Sequence, residues 1–230
     1  MKTLCVIPAR GGSKGIKKKN IKELAGKPLI YYSIDIARAF FQDSDICVTS
    51  DDDEIIDTVK SAGLSVPFKR PAELSGDSAG TYETLLHAIN YYEEKGVYYD
   101  TLMLLQPTSP IRQKNDLKNM IDLYRNQADM VVSVGVSHHN PYFNLFEEDS
   151  TGYLQKSKPG NLKTRQECPP VYFYNGSVYL INVASLKQKP ISQFEKVCKY
   201  VMDEIHSVDI DTPLDWLVCE EIIKAELSNK

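Results

Sequence analysis

The sequence contains no C-x-x-C pair. Its five cysteines stand apart at positions 5, 47, 168, 198 and 219, and an odd, unclustered set argues for reduced, mostly buried thiols in a cytoplasm and against a disulfide framework. The chain also lacks any apolar run near the ~20 residues that cross a bilayer, which excludes a helical membrane span. Its first apolar segment, LCVI at 4–7, is too short for the h-region of a signal peptide, and Arg10 follows almost at once. Positive charge is not in excess: 27 Lys and Arg stand against 31 Asp and Glu, for a net charge of −4. A general nucleic-acid binder is thereby excluded, and any anion site must be local. His138 and His139 have no partner at metal-ligand spacing, so they are expected in a lobe or on the surface. No internal repeat, low-complexity tract or obvious linker interrupts the chain. What remains is a soluble intracellular protein whose 230 residues, 42% hydrophobic and 25% charged, suit one globular domain.

What is present is an alternation. The uncharged run at 4–7 reads as a buried strand, and a helix is expected from 28 to about 41, its proline well placed in a first turn where the missing N–H has no partner. A strand DICVTS (45–50), an amphipathic helix closed by Gly63, a short strand near 66–68 and a helix over 81–96 follow. Then come a strand TLMLLQ (101–106), a helix near 114–126 and a strand MVVSVGV (130–136). Strands alternating with helices predict an α/β fold, a mostly parallel sheet covered by helices on both faces. Between 137 and 170 the pattern breaks into a polar stretch rich in Gly, Pro and Asn, and so long an irregular stretch in a compact domain is usually functional. Asn175-Gly176 within VYFYNGSVYLIN (171–182) predicts a hairpin, HSVDID (206–211) a last strand, and 213 to about 225 a last helix with Asp211 or Thr212 as N-cap.

Directly after the first strand, residues 10–27 gather seven basic side chains (10, 14, 17, 18, 19, 22 and 27) against the single acid Glu23. In an open parallel sheet, the loop after the first strand is a usual phosphate cradle. Gly11, Gly12 and Gly15 allow close backbone approach to an anion, while Arg10 and Lys14 can add charge-assisted hydrogen bonds. Neither G-x-x-x-x-G-K-[ST] nor G-x-G-x-x-G occurs there, so the loop belongs to neither of those two phosphate-binding types. Lys17 and Lys18 read as a solvated face.

IPARGGSKGI followed by Lys19-Asn20 resembles the N-terminal signature of the CMP-sialic acid synthetases, the acylneuraminate cytidylyltransferases. The likeness continues in order through GKPLI, TSDDDEI, RPAELSGDSAGT, LLQPTSP and RQECPPVYFYNGSVYLIN to DIDTPLD, nearly the whole chain. It implies a Rossmann-like nucleotide-binding domain over 1–230, with a dimerisation lobe inserted at about 137–170. It also implies an enzyme that joins CTP to the anomeric hydroxyl of a nine-carbon keto-sugar acid and releases pyrophosphate. The expected partners are CTP, an acidic sugar and a second copy of the chain.

By the resemblance, Arg10, Gly11, Gly12, Lys14, Lys19 and Asn20 hold the triphosphate, and Arg70, Ala79, Thr81 and Gln106 surround the cytosine and the neighbouring site. Arg165, Gln166, Asn175 and Tyr179 match the acceptor region, where a planar arginine fork suits the sugar carboxylate. Asp209 and Asp211 are two apart, so on a strand both carboxylates point to one side, and Mg²⁺ takes one or two carboxylates together with substrate phosphate. With the resemblance, this pair is expected to hold Mg²⁺, and Asp211 joins Arg10, Lys14 and Lys19 as catalytic. Asp51 and Asp52, at the end of the second strand, could be metal ligands or caps of the helix that follows them, and the caps are favoured. Two departures stand out: Lys17-Lys18 replaces a common Pro-Arg, and Phe143 lies near where sialic-acid members often carry a lysine, which leaves the identity of the sugar open.

Overall fold

The residues of LCVI divide between two cores. Cys5 and Ile7 enter one hydrophobic cluster and Leu4 and Val6 another, as alternate side chains must when a strand is covered on both faces. The computed structural model describes residues 1–228 apart from 13, 14, 77–79 and 126. In chain order it runs β1 (Thr3–Pro8), the short pair β2 (Glu23–Leu24) and β3 (Lys27–Pro28), α1 (Leu29–Arg38), β4 (Ile46–Thr49) and α2 (Asp53–Ser61). After these come α3 (Thr81–Glu93), β5 (Thr101–Leu105), α4 (Lys114–Leu123) and β6 (Met130–Val136). The rest comprises β7 (Phe146–Glu148), β8 (Leu154–Lys156), β9 (Tyr172–Asn182), α5 (Val183–Gln188), β10 (Val197–Val201) and α6 (Pro213–Ser228).

Among the described residues, six strands form one sheet in the order β10-β6-β9-β5-β1-β4. β1 is parallel to β4 and β5, and β10 to β6; β9 alone runs antiparallel, between β5 and β6. Helices α1, α2 and α4 cover one face through Ile30, Ile34, Ile55, Val59, Leu117 and Met120. On the other face, α3 and α5 pack through Leu85, Ala88, Ile89, Val183 and Leu186. A third cluster joins Trp216, Cys219 and Ile223 of α6 to Ile16, Leu24, Leu29, Ile111 and Ile210. The expected α/β fold with a mostly parallel, two-sided sheet is the one observed.

Four local expectations give way. Residues 66–68 make no strand, only a bridge between Ser50 and Lys69, since Pro67 has no N–H to give a ladder. Asn175-Gly176 does not reverse the chain. Gly176 does have φ +74, but both flanks of β9 pair with β6, through Val134–Tyr174 on one side and Val132–Tyr179 on the other. Residues 175–178 therefore bulge opposite Ser133 alone, and the positive φ serves a bulge in one strand. Residues 206–211 are irregular: Ile210 N donates to Thr108 O at 2.8 Å, so this segment is tied to the loop after β5 rather than to a sheet edge. Edge strand β10 comes instead from 197–201, a mixed segment without a clean alternation. The fourth concerns Asp51, which caps nothing; Asp52 is the cap of α2, accepting from Glu54 N at 2.8 Å and Ile55 N at 3.4 Å.

The stretch at 137–170 is not wholly irregular, for β7 and β8 pair as an antiparallel hairpin. Its turn is held by Asp149, whose carboxylate accepts from Thr151 N at 2.9 Å and Tyr153 N at 3.1 Å. Phe146, Tyr153 and Leu154 on this hairpin are exposed, as are Tyr172, Phe173 and Tyr174 on the adjoining half of β9.

Asp129, just before β6, ties three elements together. Its carboxylate accepts from Glu195 N and Lys196 N at 3.0 Å, leading into β10, and from Ser185 Oγ of α5 at 2.7 Å. The Lys196 N–H bond first, then the Ser185 hydroxyl, hold its carboxyl down at about 2. A depressed folded-state pKa means that the stabilisation is complete above the ordinary carboxylate range and is lost as pH falls toward about 2. Asp129→Ala is expected to cost about 2–4 kcal/mol at pH 7, measured by urea unfolding. The difference from wild type should shrink as the pH is lowered from 5 toward 2.

Candidate active site

The loops after β1, β4 and β5 leave the sheet at its carboxyl end, where open α/β sheets bind ligands. With the segment before α6 they enclose a cleft of about 530 Å³. Its walls include the predicted Arg10, Lys19, Asn20, Arg70, Thr81, Gln106, Asp209 and Asp211. Residues 150 or more apart in sequence thus meet around one volume.

The charged side chains arrive there by identifiable local devices. Lys18 takes a left-handed conformation, φ +52, and its side chain and that of Lys19 diverge. The Lys18 ammonium goes outward to Glu54 at 2.5 Å. Lys19 goes inward and donates to Ile210 O at 2.5 Å and Asp211 Oδ1 at 3.3 Å. Asn20 donates its amide to Arg10 O at 3.0 Å, which closes the loop on itself. Lys17 is exposed. Gly15 packs so closely on the Asp211 carbonyl that a Cβ there would overlap it, and a Cβ on Gly11 would overlap the Asp52 carboxylate. Gly11 N–H points to Asp51 Oδ1 at 3.3 Å, whereas nothing crowds Gly12. Lys14 and Ala79 lie outside the described residues.

Arg70, 5% exposed, is built into the wall. Its Nε donates to Ser75 Oγ at 3.1 Å and Nη2 to Asp51 Oδ1 at 3.3 Å. Burial lowers its pKa, Asp51 works against that, and the charge of Arg10 adds to the lowering, so two cations share this end of the cleft. At the other end, burial raises the pKa of Asp209, against the Thr108 hydroxyl; the Asp211 charge raises it further, while Lys19 and the Ser109 hydroxyl at 3.3 Å lower it. Asp211 is the exposed member of the pair, its side chain 77% accessible. It does not cap α6. Thr212 does, accepting from Asp215 N at 3.3 Å while Asp215 accepts from Thr212 N at 2.7 Å, a reciprocal capping box. The Asp211 carboxylate is thus left to the cleft and to Lys19.

Two roles are not legible in the sequence, where Asp51 reads as a cap and Arg112 does not stand out. Asp51, placed between Gly11 N–H and Arg70, is a partner of the cleft wall. Arg112 is buried: it donates to the Gln106 carbonyl and to Ser33 Oγ at 3.3 Å, which braces the turn carrying Gln106 and Thr108. Burial pushes its pKa down to about 10, with Cys5, Asp209 and Asp116 opposing the shift. Thr108 and Ser109 sit inside LLQPTSP, a segment legible as a whole though not residue by residue.

The predicted acceptor residues are dispersed. Tyr179 is half-buried on β9, its hydroxyl pKa raised by burial and by the Asp209 charge. Arg165 and Gln166 are exposed on a short turn in the 137–170 lobe, outside the cleft wall, and Arg165 donates to the His138 carbonyl. Asn175 is 2% exposed and bonded wholly within the protein.

A parallel sheet with cations and two carboxylates around one cleft at its carboxyl end defines a nucleotide-binding α/β protein. The cytidylyltransferase family model matches residues 4–225, and the chain belongs to that family. It is 35% identical over 223 residues to the post-translational flagellin modification protein B of Campylobacter coli, covering 96% of this chain and 94% of that one. With the CMP-N,N'-diacetyllegionaminic acid synthase of Legionella pneumophila it shares 32% identity over 226 residues, 97% of each chain. In fold it is similar to a CMP:2-keto-3-deoxy-manno-octonic acid synthetase solved with CTP, at a TM-score of 0.72 and 18% identity, covering 98% of this chain and 100% of that one.

Gly15 offers a direct probe of the cleft. Gly15→Ala should push the 209–211 segment aside, and with it the buried Ile210. Stability in urea should fall by about 1–3 kcal/mol, and turnover of the protein that remains folded should fall ~10-fold or more, because a misplacement of about 1 Å at a site costs much of its rate.

Proposed function

We propose that this cytidylyltransferase transfers CMP from CTP to the anomeric hydroxyl of a nine-carbon keto-sugar acid, sialic acid or a legionaminic or pseudaminic relative, and releases pyrophosphate. The observation that carries the proposal is the gathering of Arg10, Lys19 and Arg70 with the Asp209–Asp211 pair around one cleft, where Lys19 already contacts Asp211. Transfer at phosphorus demands little covalent work of a protein; it needs in-line positioning and neutralised phosphate charge. Arg10 and Lys19 supply fixed positive charge for the triphosphate, Lys19 held in place by the Ile210 carbonyl. Arg70, Thr81 and Gln106 line the part of the wall assigned to the base and the neighbouring acceptor site.

Mg²⁺ is part of the proposal, and the donor set suits it. Among the described residues no group of three or more His, Cys, Asp or Glu can hold an ion unaided, but Mg²⁺ at a nucleotide site is commonly held by one or two carboxylates plus phosphate and water. Asp209 and Asp211 are two such carboxylates on the cleft wall. Bound there, the ion would offset charge developing on the phosphates. The Ser109 hydroxyl lies 3.3 Å from Asp209 Oδ1, so the position of this carboxylate is set by the chain itself.

A homodimer also belongs to the proposal. Phe146, Tyr153 and Leu154 of the hairpin and Tyr174 of β9 all stand exposed, and exposed apolar groups in such number usually find a partner surface. Arg165 sits on this lobe, so its assigned role with the sugar carboxylate would come through the assembly. The expected solution mass by light scattering is about twice the 26.0 kDa of the chain, and Leu154→Lys should shift it toward one chain; a wild-type monomer at micromolar concentration would defeat the dimer.

The activity is tested by pyrophosphate release with each of four nucleoside triphosphates crossed against a panel of nine-carbon keto-sugar acids. CTP should exceed ATP, GTP and UTP by ~10-fold or more in kcat/KM, because each buried base-edge group left unpaired by a wrong base costs about 1–3 kcal/mol. Asp211→Asn should remove most of that turnover with the fold intact. No turnover with any pair would return the chain to a nucleotide-binding module without catalysis.

A further inference from the structure

We propose that Asn175 is a positioning residue: through Ser207 it fixes the segment bearing Asp209 and Asp211, and it touches neither substrate. The proposal deepens the reading above and rests on it.

The amide of Asn175 is saturated by the protein. Its Oδ1 accepts from Ser133 Oγ at 2.6 Å and from Ser177 N at 3.2 Å. Its Nδ2 donates to Ser207 Oγ at 3.1 Å and to Met202 Sδ at 3.3 Å. Because the Ser177 N–H can only donate, it orients Oδ1 toward the bulge and Nδ2 toward Ser207. Two acceptor and two donor positions are the whole hydrogen-bonding capacity of an amide, so none is left for a sugar hydroxyl, and the residue is 2% exposed.

The four partners come from four places. Ser133 is on β6, Ser177 in the bulge of β9, Met202 at the end of β10, and Ser207 in the irregular segment two residues before Asp209. The bulge leaves Ser177 and Val178 off the β6 ladder. Asn175 takes up the first N–H, and the Ser133 hydroxyl takes up the second at 2.8 Å, which satisfies backbone groups that burial would otherwise penalise. The same bulge turns Gly176, at φ +74, toward the carboxylate: a Cβ on that residue would lie 3.3 Å from Asp209 Oδ2. Residues 206–211 have no ladder of their own. Among their anchors are Ile210 N to Thr108 O, Lys19 to Ile210 O, Ser109 Oγ to Asp209, Asp211 N to Asp215, and the buried tie from Asn175 to Ser207. A carboxylate carried on such a segment keeps its place only as well as these anchors do, and a shift of ~1 Å at a site is enough to lose much of its function.

Ser207→Ala isolates the tie, because it removes the hydroxyl and leaves Asn175 with its other partners; Ser207→Thr keeps a hydroxyl and serves as the rescue. Mn²⁺ binding is followed by electron paramagnetic resonance in the presence of CTP and the absence of any acceptor, so no turnover occurs. Ser207→Ala should weaken Mn²⁺ binding ~3- to 10-fold, lower kcat at limiting Mg²⁺, leave the sugar KM within about twofold of wild type, and leave the melting temperature without metal nearly unchanged. Ser207→Thr should restore metal binding. Asn175→Ala combined with Ser207→Ala should weaken it little beyond the more severe single variant. Unchanged Mn²⁺ binding in Ser207→Ala overturns the proposal. So does a rise in sugar KM alone in Asn175→Ala, which would make Asn175 an acceptor contact. If the wild type with CTP bound no Mn²⁺ at all, the metal assignment of the proposed function would fail first, a result distinct from loss in the variant only.

Discussion

The contact on which this site depends is that of Lys19 with the Ile210 carbonyl and the Asp211 carboxylate. It ties the loop after the first strand to the segment before the last helix, 191 residues further on. A nearly buried ammonium must find acceptors or lose its charge, and the acceptors nearest to hand lie on the chain's other end. Beneath the contact, Ile16 and Ile210 share a cluster with Leu24, Ile111 and Trp216, so apolar packing brings together the two segments that the charge then pins. Without that junction, Arg10 and Asn20 would border an open sheet edge instead of facing Asp209 across a cleft.

Charge in the cleft is arranged as a set of unequal pairs. Asp51 stands between Gly11 N–H and Arg70, and Lys19 leans on Asp211. Asp209 is set deeper, among hydroxyls and beside the half-buried Tyr179. Burial works against ionisation of both Arg70 and Asp209 and prevails in each, although Asp51 opposes it at Arg70 and the Thr108 hydroxyl at Asp209. A polyanionic ligand entering this cleft therefore meets donors already oriented, with little reorganisation left to do. Arg112 extends the arrangement below the floor, where a buried guanidinium holds the Gln106 carbonyl.

The antiparallel strand β9 is the main departure from a simple parallel sheet, and its consequences reach the site. Lying between β5 and β6, it cannot supply a loop at the same edge in the same sense as its neighbours. It contributes a bulge instead, with Gly176 against Asp209 and Asn175 in the buried network. The half of β9 beyond that bulge leaves the domain core with the β7–β8 hairpin, carrying exposed Tyr172, Phe173 and Tyr174. Phe173 lies across Gly135 of β6, where any Cβ would collide with its ring, so even this outer strand pairing is specific.

Periodicity and local chemistry made much of this legible before any coordinates. The apolar runs of β1, β5 and β6 and the helices between them were readable because burial on two faces leaves a continuous hydrophobic signature. The clustered charge from Arg10 to Lys27 was readable because it departs from an acidic background. The Asn175-Gly176 pair announced a positive φ without saying whether the chain would reverse, since that depends on whether the flanking segments pair with each other or with a third strand. Likewise 206–211 alternates like a strand, yet its hydrogen bonds go to a loop. The roles of Asp51 and Arg112 and the Asn175–Ser207 tie were not legible, because a carboxylate, a guanidinium or an amide acquires its role from the partner it meets, and Gly11 lies 40 residues from Asp51, Ser33 79 from Arg112 and Ser207 32 from Asn175. Sequence alone therefore determined the layers and the place of the phosphate-facing loop, which follow from local pattern. Only the tertiary structure decided which polar groups are bound within the protein and which face the cleft, because that is settled by contacts between segments far apart in the chain.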